Sequence, residues 1–86
     1  MTDPPRRPEI DYPTDWTYTL IGVSEGLVRD AVHEILGERQ HRLAPSHTSS
    51  KGTYHSMTLV VEVRSEADRI GLFESFRNHP HLRFVL

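Results

Sequence analysis

Large apolar residues alternate with threonine through Trp16-Thr17-Tyr18-Thr19-Leu20-Ile21, the period of two that marks a half-buried strand, and Gly22 follows as a breaker. The period then changes. Leu27, Val28, Ala31, Val32, Ile35 and Leu36 share one helical face, with Arg29, Asp30, His33 and Glu34 opposite. Ser24 is placed to cap this helix, and Gly37 suits the left-handed residue that ends one, so the spacing predicts a helix over 25–36. Residues 38–48 are polar and carry no clear period; if they form a strand, Pro45 confines it to a sheet edge. Ser49-Ser50-Lys51-Gly52 reads as a turn. From Thr53 to Val63 the pattern returns to two: His55, Met57, Leu59, Val61 and Val63 on one side, Tyr54, Ser56, Thr58, Val60 and Glu62 on the other.

Ser65 with Asp68 resembles a capping box, with Asp in place of the usual Glu or Gln, and Ala67, Ile70, Phe73 and Phe76 form the helical stripe behind it. That helix ends before Pro80. Leu82, Phe84 and Leu86 then alternate with Arg83 and Val85 as a last strand. The order β-α-β-β-α-β is the split βαβ pattern of a ferredoxin-like α+β sandwich, two helices on one face of a four-stranded antiparallel sheet. Crossover handedness favours spatial order 4-1-3-2, which puts the second strand on an edge, where Pro45 is allowed. The predicted core is Trp16, Tyr18, Leu20, both helix stripes, Met57, Leu59, Val61, Leu82, Phe84 and Leu86.

Length narrows the picture further. Eighty-six residues allow one core, and residues 13–86 account for it. Four of six prolines fall in the first thirteen residues, which hold few apolar side chains, so residues 1–12 read as a disordered tail. With no cysteine, packing and hydrogen bonds must supply all the stability. The net charge of −2 gives no general attraction to nucleic acid or an anionic membrane. The N-terminal residues carry no secretory pattern and no apolar run is longer than the three residues of Leu59-Val60-Val61, which points to a cytoplasmic protein.

The segment Ser49-Ser50-Lys51-Gly52-Thr53-Tyr54-His55-Ser56 resembles the SSKGxYHS signature of the small bacterial YbeD-like proteins, the DUF493 or UPF0250 family. Pro13, Trp16-Thr17-Tyr18 and Gly22 are similar to that family's first strand, and Leu82-Arg83-Phe84-Val85-Leu86 to its closing one. The likeness covers residues 12–86, and residues 37–48 depart from it. It implies a ferredoxin-like fold close to ACT-type regulatory domains, which commonly bind small effectors at subunit interfaces. The family is itself uncharacterised, and the resemblance supplies no catalytic residue.

Candidate sites follow from chemistry. Lys51 is the only lysine beside nine arginines; with Gly52, Ser49 and Ser50 it could form a nest for a phosphate or carboxylate, or simply supply hairpin geometry. The leading glycine and spacing of a Walker A loop are missing. His55 and Ser56 point to opposite sheet faces and so cannot form a nucleophile pair. Tyr54, Ser56 and Thr58 share the open face with Thr17, Thr19 and Arg83, and that face can bind a partner, pair two copies or stand in water. Of six histidines, His79 and His81 lie at i, i+2 without an evident third ligand, and His33, His41 and His47 complete no metal spacing. Tyr54 alone does not make the basic-aromatic surface of an RNA-recognition domain, and Gly22-Val23-Ser24-Glu25 lacks the arginine of an acylphosphatase loop. The sequence therefore points to a small regulatory or adaptor domain, ACT-like in fold, that binds a protein partner or small effector through Ser49–Gly52, Tyr54, His55 and Ser56, the open face or an edge strand. Homodimerisation by edge or face pairing is plausible. The alternative is an anion-binding protein or enzyme centred on Ser49–Gly52. No cofactor, metal, nucleic acid, membrane or catalytic constellation is expected.

Overall fold

A computed structural model describes residues 10–46 and 54–86. Its elements are β1 (Thr14–Gly22), α1 (Glu25–Leu36), β2 (His41–Pro45), β3 (His55–Val63), α2 (Glu66–Arg77) and β4 (Phe84–Val85). The sheet order is β2-β3-β1-β4, antiparallel throughout, with both helices on one face. This is the ferredoxin-like arrangement that the patterning predicts, with β2 and its Pro45 on the edge. Residues 1–9 of the expected tail and the Ser49–Gly52 turn lie outside the described residues.

β1 and β3 pair over nine positions, from Thr14 opposite Val63 to Gly22 opposite His55. Their alternation sends Tyr18, Leu20, Met57, Leu59, Val61 and Val63 into the core. Against them α1 buries Val28, Ala31, Val32 and Leu36. Trp16 and Tyr12 pack at the margin. The Tyr18 hydroxyl is buried, which pushes its pKa up, and it donates to the Arg69 carbonyl at 2.7 Å, so the one hydroxyl carried into the core has a partner.

The helix ends form as their residues dictate. Ser24 Oγ accepts from the Leu27 amide at 3.1 Å, and Gly37, at φ 58°, closes α1 by donating to the His33 carbonyl. Ser65 Oγ accepts from the Asp68 amide at 3.0 Å. The returning half of the capping box differs: the Asp68 carboxylate accepts from the Arg64 amide at 2.9 Å, and also takes the Arg39 guanidinium through two hydrogen bonds. Arg39 further donates to the Glu62 carbonyl, so one side chain clasps the lead-in to β2, the end of β3 and the start of α2.

Two parts of the expected core are corrected. Phe84 and Leu86 are not buried but 55% and 74% exposed; Leu82 and Val85 face inward instead. The alternation breaks because Leu82 belongs to a turn, its amide donating to the His79 carbonyl, and only Phe84–Val85 is strand, with Val85 opposite Leu20 on the core side. On α2 the buried residues are Leu72 and Phe76, while Ala67 is exposed, Ile70 is 42% exposed and Phe73 half-buried. The stripe sits about one position around the helix from where its apolar residues placed it.

The turn before β4 rests on Gly22. A Cβ there would meet the His81 carbonyl oxygen and Val28 Cγ2, each at 2.8 Å. A backbone oxygen cannot swing aside, so Gly22→Ala is expected to cost about 1–3 kcal/mol, measured as a lowered midpoint in thermal unfolding. Asp68 generates a second expectation. The Arg39 hydrogen bonds, with the Arg64 amide, hold its carboxyl below the usual carboxylate range. A folded pKa depressed in this way adds stability above the unfolded value, about 3.9, and loses it as pH falls through the folded one. With both side chains 24% exposed, Asp68→Asn should cost about 1–2 kcal/mol at neutral pH. Urea unfolding should show the gap between variant and wild type closing as the solution is acidified below the carboxylate range.

Candidate functional site

The helices cover one sheet face and leave the other uncovered among the described residues. Its composition changes along the strands. At one end Asp15 stands directly opposite Glu62, with Arg42 opposite Val60 in the next row. In the middle lie Thr17, Thr19 and Thr58, with Ser46 Oγ and Thr58 Oγ1 hydrogen-bonded at 2.5 Å. At the other end Ile21 pairs with Phe84, and the Phe84 ring meets Tyr54 edge-on, centroids 5.9 Å apart at 78°. Tyr54 is 41% exposed, Phe84 55%, and Val23, just beyond β1, 43%. Two aromatic rings thus stabilise each other in a preferred geometry while remaining open to solvent.

The sequence-derived site divides. Tyr54 belongs to this aromatic end. Ser56 shares its face, opposite Ile21, and its carbonyl accepts the Ser46 amide at 2.8 Å. His55 lies on the core side of β3, opposite Gly22, half-buried. Ser49, Ser50, Lys51 and Gly52 lie outside the described residues, between Ser46 and Tyr54. Reading Phe84 as core is what hid the aromatic pair; the signal that could have found it is the turn at His79-Pro80-His81, which shifts the parity of the residues after it.

Two of the histidine rings have specific partners. His79 Nδ1 accepts from the His81 amide at 3.1 Å, which leaves the neutral ring's hydrogen on Nε2, directed at the Glu34 carboxylate 2.7 Å away. That contact holds the Glu34 carboxyl below its ordinary range. His41 Nδ1 donates to the Arg39 carbonyl at 2.7 Å. Both nitrogens of His79 are therefore committed, and among the described residues no group of three or more His, Asp or Glu could hold a metal. No helix among them is long and apolar enough to cross a membrane.

The comparisons with known proteins agree with this architecture. Residues 7–86 match the model of a protein family described as "Protein of unknown function (DUF493)". The chain belongs to the DUF493 family. It is 34% identical over 86 residues to an uncharacterised protein of Campylobacter jejuni, covering 100% of this chain and 97% of that one. A UPF0250 protein of Idiomarina loihiensis is 34% identical over 79 residues, 90% of each chain. The solution structure of HP0495 from Helicobacter pylori superposes with a TM-score of 0.81 at 22% identity, covering 100% of this chain and 94% of that one. This likeness establishes the fold for a DUF493 protein of this sequence and leaves its activity to be argued from the surface.

Proposed function

We propose that this DUF493 protein is a cytoplasmic regulatory or adaptor domain, ACT-like in fold, that binds a protein partner without catalysing a reaction. The partner contacts the end of the open sheet face that carries Tyr54 and Phe84. The observation that supports this reading is the exposed edge-on pair itself. A soluble domain of this size gains by burying its aromatics, yet here two of its seven aromatic residues face outward together. Aromatic side chains grouped with neighbouring apolar residues and rimmed by Ser and Thr are what interface centres are made of. Small-ligand sites are concave, whereas this surface is the outside of a sheet, which favours a macromolecular partner over an effector.

Phe84→Ser and Tyr54→Ser remove exposed rings and should leave the fold intact, as amide dispersion in NMR spectra would report. Affinity capture from a cytosolic extract, quantified by mass spectrometry, should give a small set of proteins retained by wild type and depleted with Phe84→Ser. The loss should be about 30-fold in affinity, the equivalent of about 2 kcal/mol for a central aromatic contact. Identical sets for wild type and both variants would overturn the reading.

A further inference from the structure

The row of hydrogen bonds between β1 and β4 stops halfway along β1. Thr19 and Leu86 exchange two bonds at 2.9 Å, and the Ile21 carbonyl accepts the Arg83 amide at 2.7 Å. In an antiparallel ladder the groups aimed at one neighbour recur every second residue. The amide and carbonyl of Thr17, and then of Asp15, therefore point to the same side as those of Thr19, where the described residues place no partner strand. Beside this open stretch lies a groove of about 290 Å³ between β1 and α2. Trp16 and Tyr18 form one wall, Ile70 and Phe73 the other, and Leu86 stands at its end. Of the α2 stripe, Ile70 is exposed and Phe73 only half-buried against the core, so both present apolar surface here. The Arg69 guanidinium caps the groove, 4.6 Å above the Trp16 ring and bound through Nε to the Tyr12 hydroxyl.

We propose that this groove takes an extended peptide segment of a partner protein, which continues the β4 ladder along β1. Continuity with the existing β4–β1 pairing fixes its geometry. The segment runs antiparallel to β1, and its residues opposite Thr17 and Asp15 exchange backbone hydrogen bonds with them. Its residues opposite Tyr18 and Trp16 turn their side chains into the groove, so the recognised pattern is apolar-x-apolar with no proline between. Strand addition to an open edge uses this division of labour, with backbone bonds for affinity and alternate side chains for specificity. The groove falls at or below the small end of small-molecule pockets, about 300–1,000 Å³, but accommodates side chains presented by a strand. The open stretch offers the backbone groups of only Thr17 and Asp15, which admits a single short strand more readily than the whole edge of a second copy. This site is separate from the Tyr54–Phe84 surface and stands or falls independently of it.

Phage-displayed random octapeptides panned against the purified full chain supply the probe, and synthesised winners are titrated against it. Trp16, the only tryptophan, reports binding by fluorescence. Winners should share apolar residues at i and i+2 and shift the amides of Thr14–Tyr18 and the first turns of α2. Ile70→Asp, a change at an exposed position, should abolish binding. Thr17→Pro removes the outward donor and should weaken binding about tenfold, the worth of one backbone hydrogen bond. Phe84→Ser should bind these peptides as wild type does, which separates this site from the open-face reading. Amide dispersion confirms that each variant is folded. Failure to enrich any sequence, binders indifferent to Ile70→Asp, or shifts centred on Tyr54 and Phe84 would each overturn the proposal. So would protection of the Thr17 amide that rises with protein concentration in the absence of peptide, since a second copy would then hold the edge.

Discussion

Nine consecutive antiparallel pairs between β1 and β3 form the constraint on which the rest depends. They fix the parity of both central strands at once, and parity decides which residues the helices cover. A slip of one residue would send Tyr18, Leu20, Met57, Leu59 and Val61 to water and draw Thr17, Thr19 and Thr58 inward. The cost of that exchange, about 8–15 kcal/mol for five such side chains, is as large as the whole stability of a domain, so the slipped register does not compete. α1 and α2 are then placed by their connections and by the surface presented to them. Gly22 marks the end of the ladder, where the chain must admit the His81 backbone at close range. Arg39 and Asp68 secure the opposite end, where β2 begins and α2 starts.

The outer strands are unequal to this central pair, and the inequality generates the surface chemistry. β2 runs five residues along β3, whereas β4 is two residues long and pairs only with Leu20 and Ile21 before Leu86 meets Thr19. A strand so short presents little to the core: Val85 goes in, and Phe84 must come out. Having come out, its ring lies beside Tyr54 at the end of β3. Among the described residues the first half of β1 has no strand beside it on that edge, near α2. The aromatic pair and the groove thus lie on opposite faces of the sheet.

How much of this the residues disclose depends on the length over which a period can act. β3 keeps its alternation over nine residues and α1 runs through three turns with a cap at each end, and both stand where the pattern places them. The edge position of β2 was legible from Pro45, because a residue without an amide hydrogen excludes a central strand. β4 was legible as a strand but not in phase. Its alternation was counted from Leu82, which is buried as part of a turn rather than as part of the ladder. On α2 Leu72 lies one position around the helix from Phe73, and both are apolar, so the stripe alone cannot tell which of them turns fully inward. Of the candidate site, Tyr54 and Ser56 were legible by parity on β3; Phe84 was not, because its face is set by a turn whose geometry carries no period.

The residues left over by the core are therefore informative. Burying a side chain such as Ile70 or Phe84 is worth about 1.5–3 kcal/mol, a large share of what a domain of this size holds in reserve. Isolated exposed apolar residues are ordinary and carry no message. Here, however, they are grouped, and each group adjoins a structural feature that a partner could use. Tyr54 and Phe84 adjoin Ile21 on the uncovered face of the sheet. Ile70 and Phe73 adjoin backbone groups of Thr17 and Asp15 that are aligned for a strand. Apolar surface alone would invite indiscriminate association, and backbone donors alone would bind weakly in water. Placed together at one edge, they restrict what can bind to a chain of one direction and one alternation.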